Sequence, residues 1–248
     1  MIFKPVICIL TLTFVLSYFE ANNATTTAKH INKIEMIQHT YQGQQAQNIK
    51  VIIAEMIRQG VTNEFAQVGI LSVIGKESGF MPQREKSYSY TSNERLRKLF
   101  GRRLSKYTDE QLTYLKRDDI AFFDAIYGIG AKDYFKWQTG NTSPGDGWKY
   151  RGRGFNQITF KNSYKQYSKI AGVDLVMFPD KLNEIEIAAK LAVYFMLEPL
   201  KKRGVNIDQI GPDAVHIFVK ANAGKTSDMR DTSTYKEALK IEKNFEII

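Results

Sequence analysis

The chain has 248 residues, of which 43% are hydrophobic and 25% charged, a composition typical of a globular protein large enough to bury a core. Its formal net charge of +9 favours attraction to anionic surfaces, such as bacterial wall polymers, phospholipid head groups or nucleic acid, without choosing among them. A single cysteine excludes an internal disulfide. The three histidines (His30, His39 and His216) show no metal-ligand spacing, so we expect neither a metal site nor a cofactor.

Residues 1–24 have the features of a secretory signal peptide. Lys4 precedes an apolar run at 6–18, and a polar stretch rich in small residues follows it. These 13 apolar residues are too few to span a bilayer comfortably, which takes about 20, so an uncleaved membrane anchor fits less well. We therefore expect a secreted protein, extracellular or periplasmic, without stable membrane insertion after signal cleavage. Loss of this segment removes one lysine, one glutamate and Cys8, so the net charge stays at +9.

The rest of the chain carries mainly helical patterns. Residues 25–45 are polar and weakly patterned, which predicts a linker or loose arm, and a single folded domain is predicted over 46–248. Apolar residues recur at helical spacing in seven segments: 48–60, 62–79, 91–101, 108–116, 183–200, 212–220 and 232–245. Capping signals precede three of them: Thr62 or Asn63, Thr91 with Glu94, and Thr108 with Gln111.

The pattern changes between residues 137 and 154, where glycine and proline are dense. A long glycine-rich loop within a compact helical domain is more often functional than not. This loop leads into the sequence YRGRGFNQITFKNSY at 150–164. A dinucleotide-binding loop is excluded there, because its third glycine would fall at position 157, which is a glutamine.

Two interpretations of this stretch remain. Arg151 and Arg153 lie beside aromatic residues and could grip nucleic acid, but one RGRG is not a repeated arginine–glycine tract. A polysaccharide-binding wall fits better. Glycines let the backbone approach a sugar closely, and Asn156, Gln157 and Thr159 offer amides and a hydroxyl for its polar groups.

A glycosidase also needs two carboxyl groups, one to protonate the leaving oxygen and one to activate water or attack. The sequence KESGFMPQRE supplies Glu77 and Glu85. Glu77 falls at the end of an apolar predicted helix, whose low polarity and negative C-terminal end both favour the protonated form that a general acid needs. Gly79 and Pro82 let the chain turn back before Glu85. On spacing alone, a helix-end glutamate and an unrelated surface glutamate remain the better explanation.

Taken together, these stretches resemble the signature of family 19 glycoside hydrolases, the chitinase-like enzymes that include many phage and bacterial endolysins. GDGWKYRGRGFNQITFKNSY resembles the family's run of glycine–arginine–glycine, two variable residues, glutamine, an aliphatic residue, and serine or threonine. KESGF with Glu85 resembles the segment that holds the catalytic acid, and KANAGK resembles the asparagine–glycine element that lines the substrate groove. The resemblance spans roughly residues 50–235.

The resemblance implies a mainly α, lysozyme-like domain with a deep substrate cleft, in which 46–248 is the catalytic domain. Glu77 matches the general acid, Glu85 the second carboxylate, and Thr159 the hydroxyl residue that helps to hold the attacking water. Plant-type members place their base further along, which leaves Glu94 as an alternative second carboxylate. The implied substrate-binding residues are Tyr90, Gln157, Ser163 and Asn222.

Three departures from the family pattern leave the substrate preference open. Ser163 stands where the family commonly has asparagine, Asn222 is followed by alanine and glycine instead of two glycines, and the cysteines of plant-type members are absent. We expect an inverting chitinase- or endolysin-like glycosidase that cleaves β-1,4 bonds of N-acetylglucosamine-containing polymers, either chitin or peptidoglycan. The alternative is a non-catalytic chitin- or peptidoglycan-binding protein on the same fold. We expect a monomer whose partner is a polysaccharide and not a nucleic acid.

Overall fold

The computed structural model describes residues 40–129, 131 and 139–245. The signal peptide predicted at 1–24 lies outside the described residues, as does most of the linker predicted at 25–45. The domain predicted over 46–248 divides into two compact units. The terminal unit contains the described residues up to Gly79 and those from Met196 onward, and the central unit contains Phe80–Phe195.

Ten α-helices and one pair of short strands form the described part of the chain. The helices are α1 (Gly43–Arg58), α2 (Glu64–Ser78), α3 (Asn93–Phe100), α4 (Asp109–Leu115), α5 (Asp119–Tyr127), α6 (Asp146–Lys149), α7 (Lys161–Ala171), α8 (Ile185–Lys202), α9 (Ala214–Ala223) and α10 (Ser233–Glu242). The strands are β1 (Gln83–Arg84) and β2 (Arg153–Gly154). Short 3-10 helices cover Gly101–Leu104, Pro179–Asn183 and Ile207–Gln209.

The mainly α fold predicted from the sequence is confirmed, and its helical content is consistent with a lysozyme-like architecture. The deep cleft that the resemblance implies stays a prediction. Within the described ranges, no helix combines the length and the apolar character needed to cross a membrane.

The terminal unit is built around α2, whose residues are buried on most sides. Asn63 caps this helix, since its side-chain oxygen accepts a hydrogen bond from the N–H of Ala66 at 2.8 Å. Gly79 ends it in a left-handed conformation with φ of 59°. Both signals were predicted, and together they place Glu77 in the last turn.

Helix α9 packs closely against α2. A side chain at Gly69 would lie 2.7 Å from a ring carbon of Phe218 and 3.0 Å from the backbone of Ala214, so this crossing requires a glycine. Helix α10 also packs on α2. The terminal unit therefore joins the end of α2 to the last helices of the chain, which fixes the surroundings of Glu77.

The central unit has two hydrophobic clusters. The first consists of Leu96, Leu104, Leu112, Phe122, Phe123 and Ile126. The second consists of Tyr150, Ile158, Tyr164, Tyr167, Leu175, Leu182 and Leu191. Full burial of one such side chain contributes about 1.5–3 kcal/mol to stability. Because buried side chains are closely packed, these clusters form a rigid support for the segments at their surface.

The short antiparallel sheet joins two segments that are far apart in the sequence. Gln83 pairs with Gly154, and Arg84 pairs with Arg153. The pairing continues for one more residue, because the N–H of Glu85 donates to the carbonyl oxygen of Gly152 at 2.8 Å. The sheet therefore brings the second predicted carboxylate beside the glycine–arginine run.

Candidate active site

Glu77 lies in the terminal unit with its side chain 30% exposed. Its Oε1 accepts a hydrogen bond from Nδ2 of Asn222 at 3.2 Å and lies 3.1 Å from Nζ of Lys76. Asn222 belongs to the last turn of α9, which Gly224 ends in a left-handed conformation. The packing of α9 on α2 thus brings together a predicted acid and a predicted substrate-binding amide.

Glu85 lies in the central unit, directly after β1, and its carboxylate accepts three hydrogen bonds. The hydroxyls of Tyr88 and Tyr127 donate to Oε1 at 2.9 and 3.1 Å. The N–H of Gly152 donates to Oε2 at 3.1 Å. Both oxygens are therefore held by fixed donors, one set from the aromatic cluster and the other from the glycine–arginine run.

The environment of the two tyrosines favours their protonated form, in which the phenols donate hydrogen bonds. Burial raises the pKa of Tyr127 far above its ordinary value, and the negative charge of Glu85 raises it further. The same two causes, in the same order, raise the pKa of Tyr88. Both phenols are therefore protonated at neutral pH and donate to Glu85.

Gly152 sits between the carboxylate of Glu85 and the amide of Gln157. A side chain there would lie 2.6 Å from Oε1 of Gln157 and 3.3 Å from Oε2 of Glu85. Gln157 has a left-handed φ of 50° and donates from Nε2 to the carbonyl oxygens of Gln83 and Gly154. Thr159 is tied to the same residue, because its hydroxyl donates to the carbonyl oxygen of Gln157 at 2.9 Å. The central unit thus gathers Glu85, Gln157 and Thr159.

The two arginines of the RGRG run are structural. Arg151 is buried, stacks on Trp148 at 3.5 Å, and donates from Nε to the carbonyl oxygen of Glu85 at 3.0 Å. Burial and the neighbouring charge of Arg153 lower the pKa of its guanidinium to about 10. Arg153 is also buried and bonds the hydroxyl of Tyr164 and the carboxylate of Asp180. Both guanidinium groups are therefore engaged within the protein, and the expectation that nucleic acid is not a partner stays a prediction.

Two buried polar side chains bond the backbone of the segments that carry the predicted site residues. Asn141 is fully buried, donates from Nδ2 to the carbonyl oxygen of Tyr127, and accepts from the N–H of Lys161 at 2.9 Å in both cases. Buried Asp124 accepts from the N–H groups of Gly145 and Gly147 at 2.6 and 2.9 Å. Side chains therefore hold the described part of the glycine-rich loop, and hydrogen bonds of Asn141 link the end of α5 to the start of α7.

The other predicted site residues take part in none of the contacts described above. Tyr90 is fully exposed, with a relative accessibility of 102%. Ser163 is half-buried in the first turns of α7. Glu94, the alternative second carboxylate, is 78% exposed and pairs with Lys98 at 2.7 Å, as expected for a surface pair four residues apart on a helix.

Sequence reasoning missed the donors around Glu85. Tyr88 lies three residues after Glu85 in the aromatic sequence SYSY, which was a usable local signal. Tyr127 lies 42 residues away, and no spacing pattern connects it to Glu85.

The structure gives no indication of a metal centre in the ranges that it describes. No group of three histidine, cysteine, aspartate or glutamate side chains is arranged to hold an ion. His216 is buried in α9, with Nδ1 3.4 Å from Asp213 and Nε2 accepting from the N–H of Met229 at 3.2 Å. Oδ1 of Asp228 also lies 3.0 Å from Nε2, so both ring nitrogens have polar neighbours within the terminal unit. His30 and His39 lie outside the described residues.

Comparison with known proteins agrees with the sequence motifs. No family model matches the chain. A curated relative from Haemophilus influenzae, named glycosyl hydrolase family 19 domain-containing protein, is 30% identical over 150 residues, which cover 59% of this chain and 68% of that protein. The chain therefore belongs to glycoside hydrolase family 19.

Proposed function

We propose that the protein is a secreted glycosidase that cleaves β-1,4 bonds of N-acetylglucosamine-containing polymers with inversion. The observation that carries the proposal is the setting of Glu85, a carboxylate bonded by two phenols and one backbone N–H. The N–H belongs to Gly152, which lies between this carboxylate and the amide of Gln157, and Thr159 of the family signature bonds Gln157. A carboxylate on an unrelated surface would not gather three donors together with these residues.

In the proposed mechanism, Glu77 donates its proton to the glycosidic oxygen as that bond breaks. Glu85 accepts a proton from a water molecule on the opposite face of the sugar, and the oxygen of this water forms the new bond to the anomeric carbon. Tyr88, Tyr127 and Gly152 orient the carboxylate of Glu85 during this step. Thr159 helps to hold the water, and Gln157 and Asn222 bind sugar amides or hydroxyls.

Inversion has a geometric requirement that a crystal structure with a bound oligosaccharide tests. The two carboxyl groups must stand roughly 6.5–9.5 Å apart to leave room for the water, whereas a separation near 5 Å belongs to a retaining enzyme. Nuclear magnetic resonance of the first product should show the inverted anomer. A retained anomer would contradict the mechanism while leaving glycosidase activity intact.

Substitution of the acid gives the direct test of the function. Glu77→Gln keeps the size and the hydrogen bond to Asn222, and it should lower kcat by about three orders of magnitude or more without changing thermal stability. Near-wild-type turnover in this variant would remove Glu77 from the reaction.

Two matched variants decide which residue is the second carboxylate. Glu85→Gln should abolish most of the turnover, whereas Glu94→Gln should change it less than twofold, because Glu94 makes only an exposed pair with Lys98. The opposite result would make Glu94 the base.

Chitin oligomers and purified peptidoglycan are the substrates to compare, with products identified by mass spectrometry. Hydrolysis of either supports a glycosidase, and the mass of the products identifies the cleaved bond. Tight binding without products would support the non-catalytic alternative. Recovery of the protein outside the cytoplasm, cleaved after about residue 24, would support the proposed secretion.

A further inference from the structure

Helix α7 presents three lysines on one side of the central unit. Lys161, Lys165 and Lys169 follow each other at intervals of four residues, so they lie on one face and recur about every 6 Å along the helix. They line a groove of about 940 Å³, together with Thr142, Asn162 and Asp174 among others.

Two of the three lysines of this groove, Lys165 and Lys169, form no ion pair among the described residues. Both are exposed, and neither has a hydrogen-bond partner among those residues. Lys161 forms an ion pair with Asp146, whose Oδ2 lies 3.3 Å from Nζ. Asp174 is the only acidic residue among the described groove-lining residues, and its Oδ1 is occupied by the N–H groups of Val176 and Met177.

The groove is built on the same support as the candidate active site. Helix α7 begins two residues after Thr159, and Asn141 fixes its first N–H. The amide of Asn162 lies so close over Gly140 that a side chain at position 140 would come within 2.3 Å of its oxygen. The predicted wall residue Thr159 and the groove residue Lys161 therefore lie two positions apart in the chain and belong to the same unit.

We propose that the groove binds the carboxylates of the peptide stems of peptidoglycan. The inference rests on the proposed function and narrows its substrate. Two unpaired lysines one helical turn apart complement a substrate that carries several carboxylates, and Asn162 and Thr142 line the same groove. Chitin, a neutral polymer without peptide stems, has no group for this groove.

A binding experiment tests the proposal without depending on turnover. The mature Glu77→Gln protein is sedimented on ice with intact peptidoglycan and with the same material after an amidase has removed the stems. At about 50 mM salt, intact material should be bound roughly five- to tenfold more tightly than stripped material, the effect of two or three partly screened ion pairs.

The double variant Lys165→Ala/Lys169→Ala, in the same background, should lose this preference for intact material. Lys236→Ala/Lys240→Ala is the matched control, because it removes two exposed lysines four residues apart on α10 and changes the net charge equally. The control should keep the preference. Alanine suits exposed helix positions, and Lys165→Gln/Lys169→Gln serves as a second variant should the alanine protein unfold at a lower temperature.

Three outcomes would overturn the proposal: equal binding of intact and stripped peptidoglycan, an equal loss in the α10 control, or a loss in the α7 variant that persists on stripped material. The third result would assign the groove to another anion, such as a phosphate polymer. Hydrolysis by the unmodified protein is measured separately. Stem-dependent binding without hydrolysis would contradict the proposed function alone, and hydrolysis without stem dependence would contradict the groove alone.

Discussion

The phenol of Tyr127 links the carboxylate of Glu85 to the aromatic core of the central unit. Tyr127→Phe removes one of the three hydrogen-bond donors to Glu85 and leaves the ring in place. The carboxylate of Glu85 is then less firmly oriented. A hydrogen bond to a charged group contributes about 1.5–3 kcal/mol, which corresponds to a fall in kcat of roughly 10- to 100-fold. Steady-state hydrolysis of a chitin oligomer measures this effect, with KM expected to change little.

Tyr114→Phe is the control for the loss of a tyrosine hydroxyl, because this side chain is 72% exposed. It should hydrolyse the oligomer at the wild-type rate. Equal kcat values for Tyr127→Phe and Tyr114→Phe would mean that Glu85 does not depend on the phenol, and the role of Glu85 as base would lose its structural basis.

The same tyrosine predicts a change of stability at high pH. The pKa of Tyr127 is raised above the ordinary value of 10.0 because the side chain is buried beside Glu85. The unfolded chain releases the phenol proton above about pH 10 while the folded protein keeps it. The contribution of this group is therefore complete below pH 10 and falls as the pH rises towards the folded-state pKa.

The stability advantage of wild type over Tyr127→Phe should accordingly shrink between about pH 9 and pH 11, by at most about 1.4 kcal/mol. Urea unfolding curves of the two proteins at each pH give this difference, and ionisation of other groups cancels between them. A difference that stays constant would show that the phenol of Tyr127 ionises as readily in the folded protein as in the unfolded chain.

At the scale of residues, the sequence predicted the candidate site residues but not the residues that contact them. Glu77, Glu85 and Gln157 could be proposed because the family pattern is local and its residue types are specific. Tyr127 could not, since only the packing of α5 brings it to Glu85. Arg151 and Arg153 were recognisable as unusual, yet their burial depends on Trp148 and Tyr164, which no local pattern connects to them as partners.

At the scale of elements, the glycine-rich loop acts as a connector between α5 and α7. Asn141→Ala would leave the carbonyl oxygen of Tyr127 and the N–H of Lys161 without their side-chain partner. Buried polar groups that lose a partner cost about 1–3 kcal/mol each, so we expect a loss of about 2–4 kcal/mol in the free energy of unfolding. Chemical denaturation followed by tryptophan fluorescence measures it.

Ser143→Ala provides the control in the same loop, because the side chain is exposed and Ser143 bonds Asp146 through its backbone N–H and carbonyl oxygen, which the substitution keeps. This variant should lie within about 0.5 kcal/mol of wild type. A similar result for Asn141→Ala would indicate that water replaces the amide, and the loop would then not be a rigid connector.

Helices were more predictable than the sheet. The capping box of Thr108 with Gln111 is confirmed, since each side chain bonds the other residue's backbone N–H. The prediction at Thr91 was wrong by one residue, because Ser92 accepts from the N–H of Arg95 and caps α3. Strands β1 and β2 have two residues each, too few to show an alternating pattern, and their pairing depends on contacts 70 residues apart.

At the scale of the molecule, the division into two units was not predictable from local patterns. The terminal unit joins helices from both ends of the described chain, and its core depends on close packing such as that of Gly69 against Phe218. Hydrophobic periodicity assigns α2, α9 and α10 to helices, but it does not say which of them pack together. The single folded domain was predicted from the length, the mainly helical pattern and the extent of the family resemblance.

The net charge of +9 gives the last prediction, because it acts on the whole molecule and not on one contact. Peptidoglycan carries peptide carboxylates and often lies among acidic wall polymers, so a basic enzyme should accumulate on it by long-range attraction. Chitin oligomers are neutral and should not attract it.

The screening length is near 10 Å at about 0.1 M salt and shortens further as salt is added. Raising salt from about 50 to 200 mM should therefore reduce the rate of wall lysis severalfold and leave oligomer hydrolysis nearly constant. Turbidity of a wall suspension and reducing-end release from the oligomer measure the two rates in parallel. Equal salt dependence of both rates would remove the electrostatic argument for the wall, and chitin would then be the better-supported substrate.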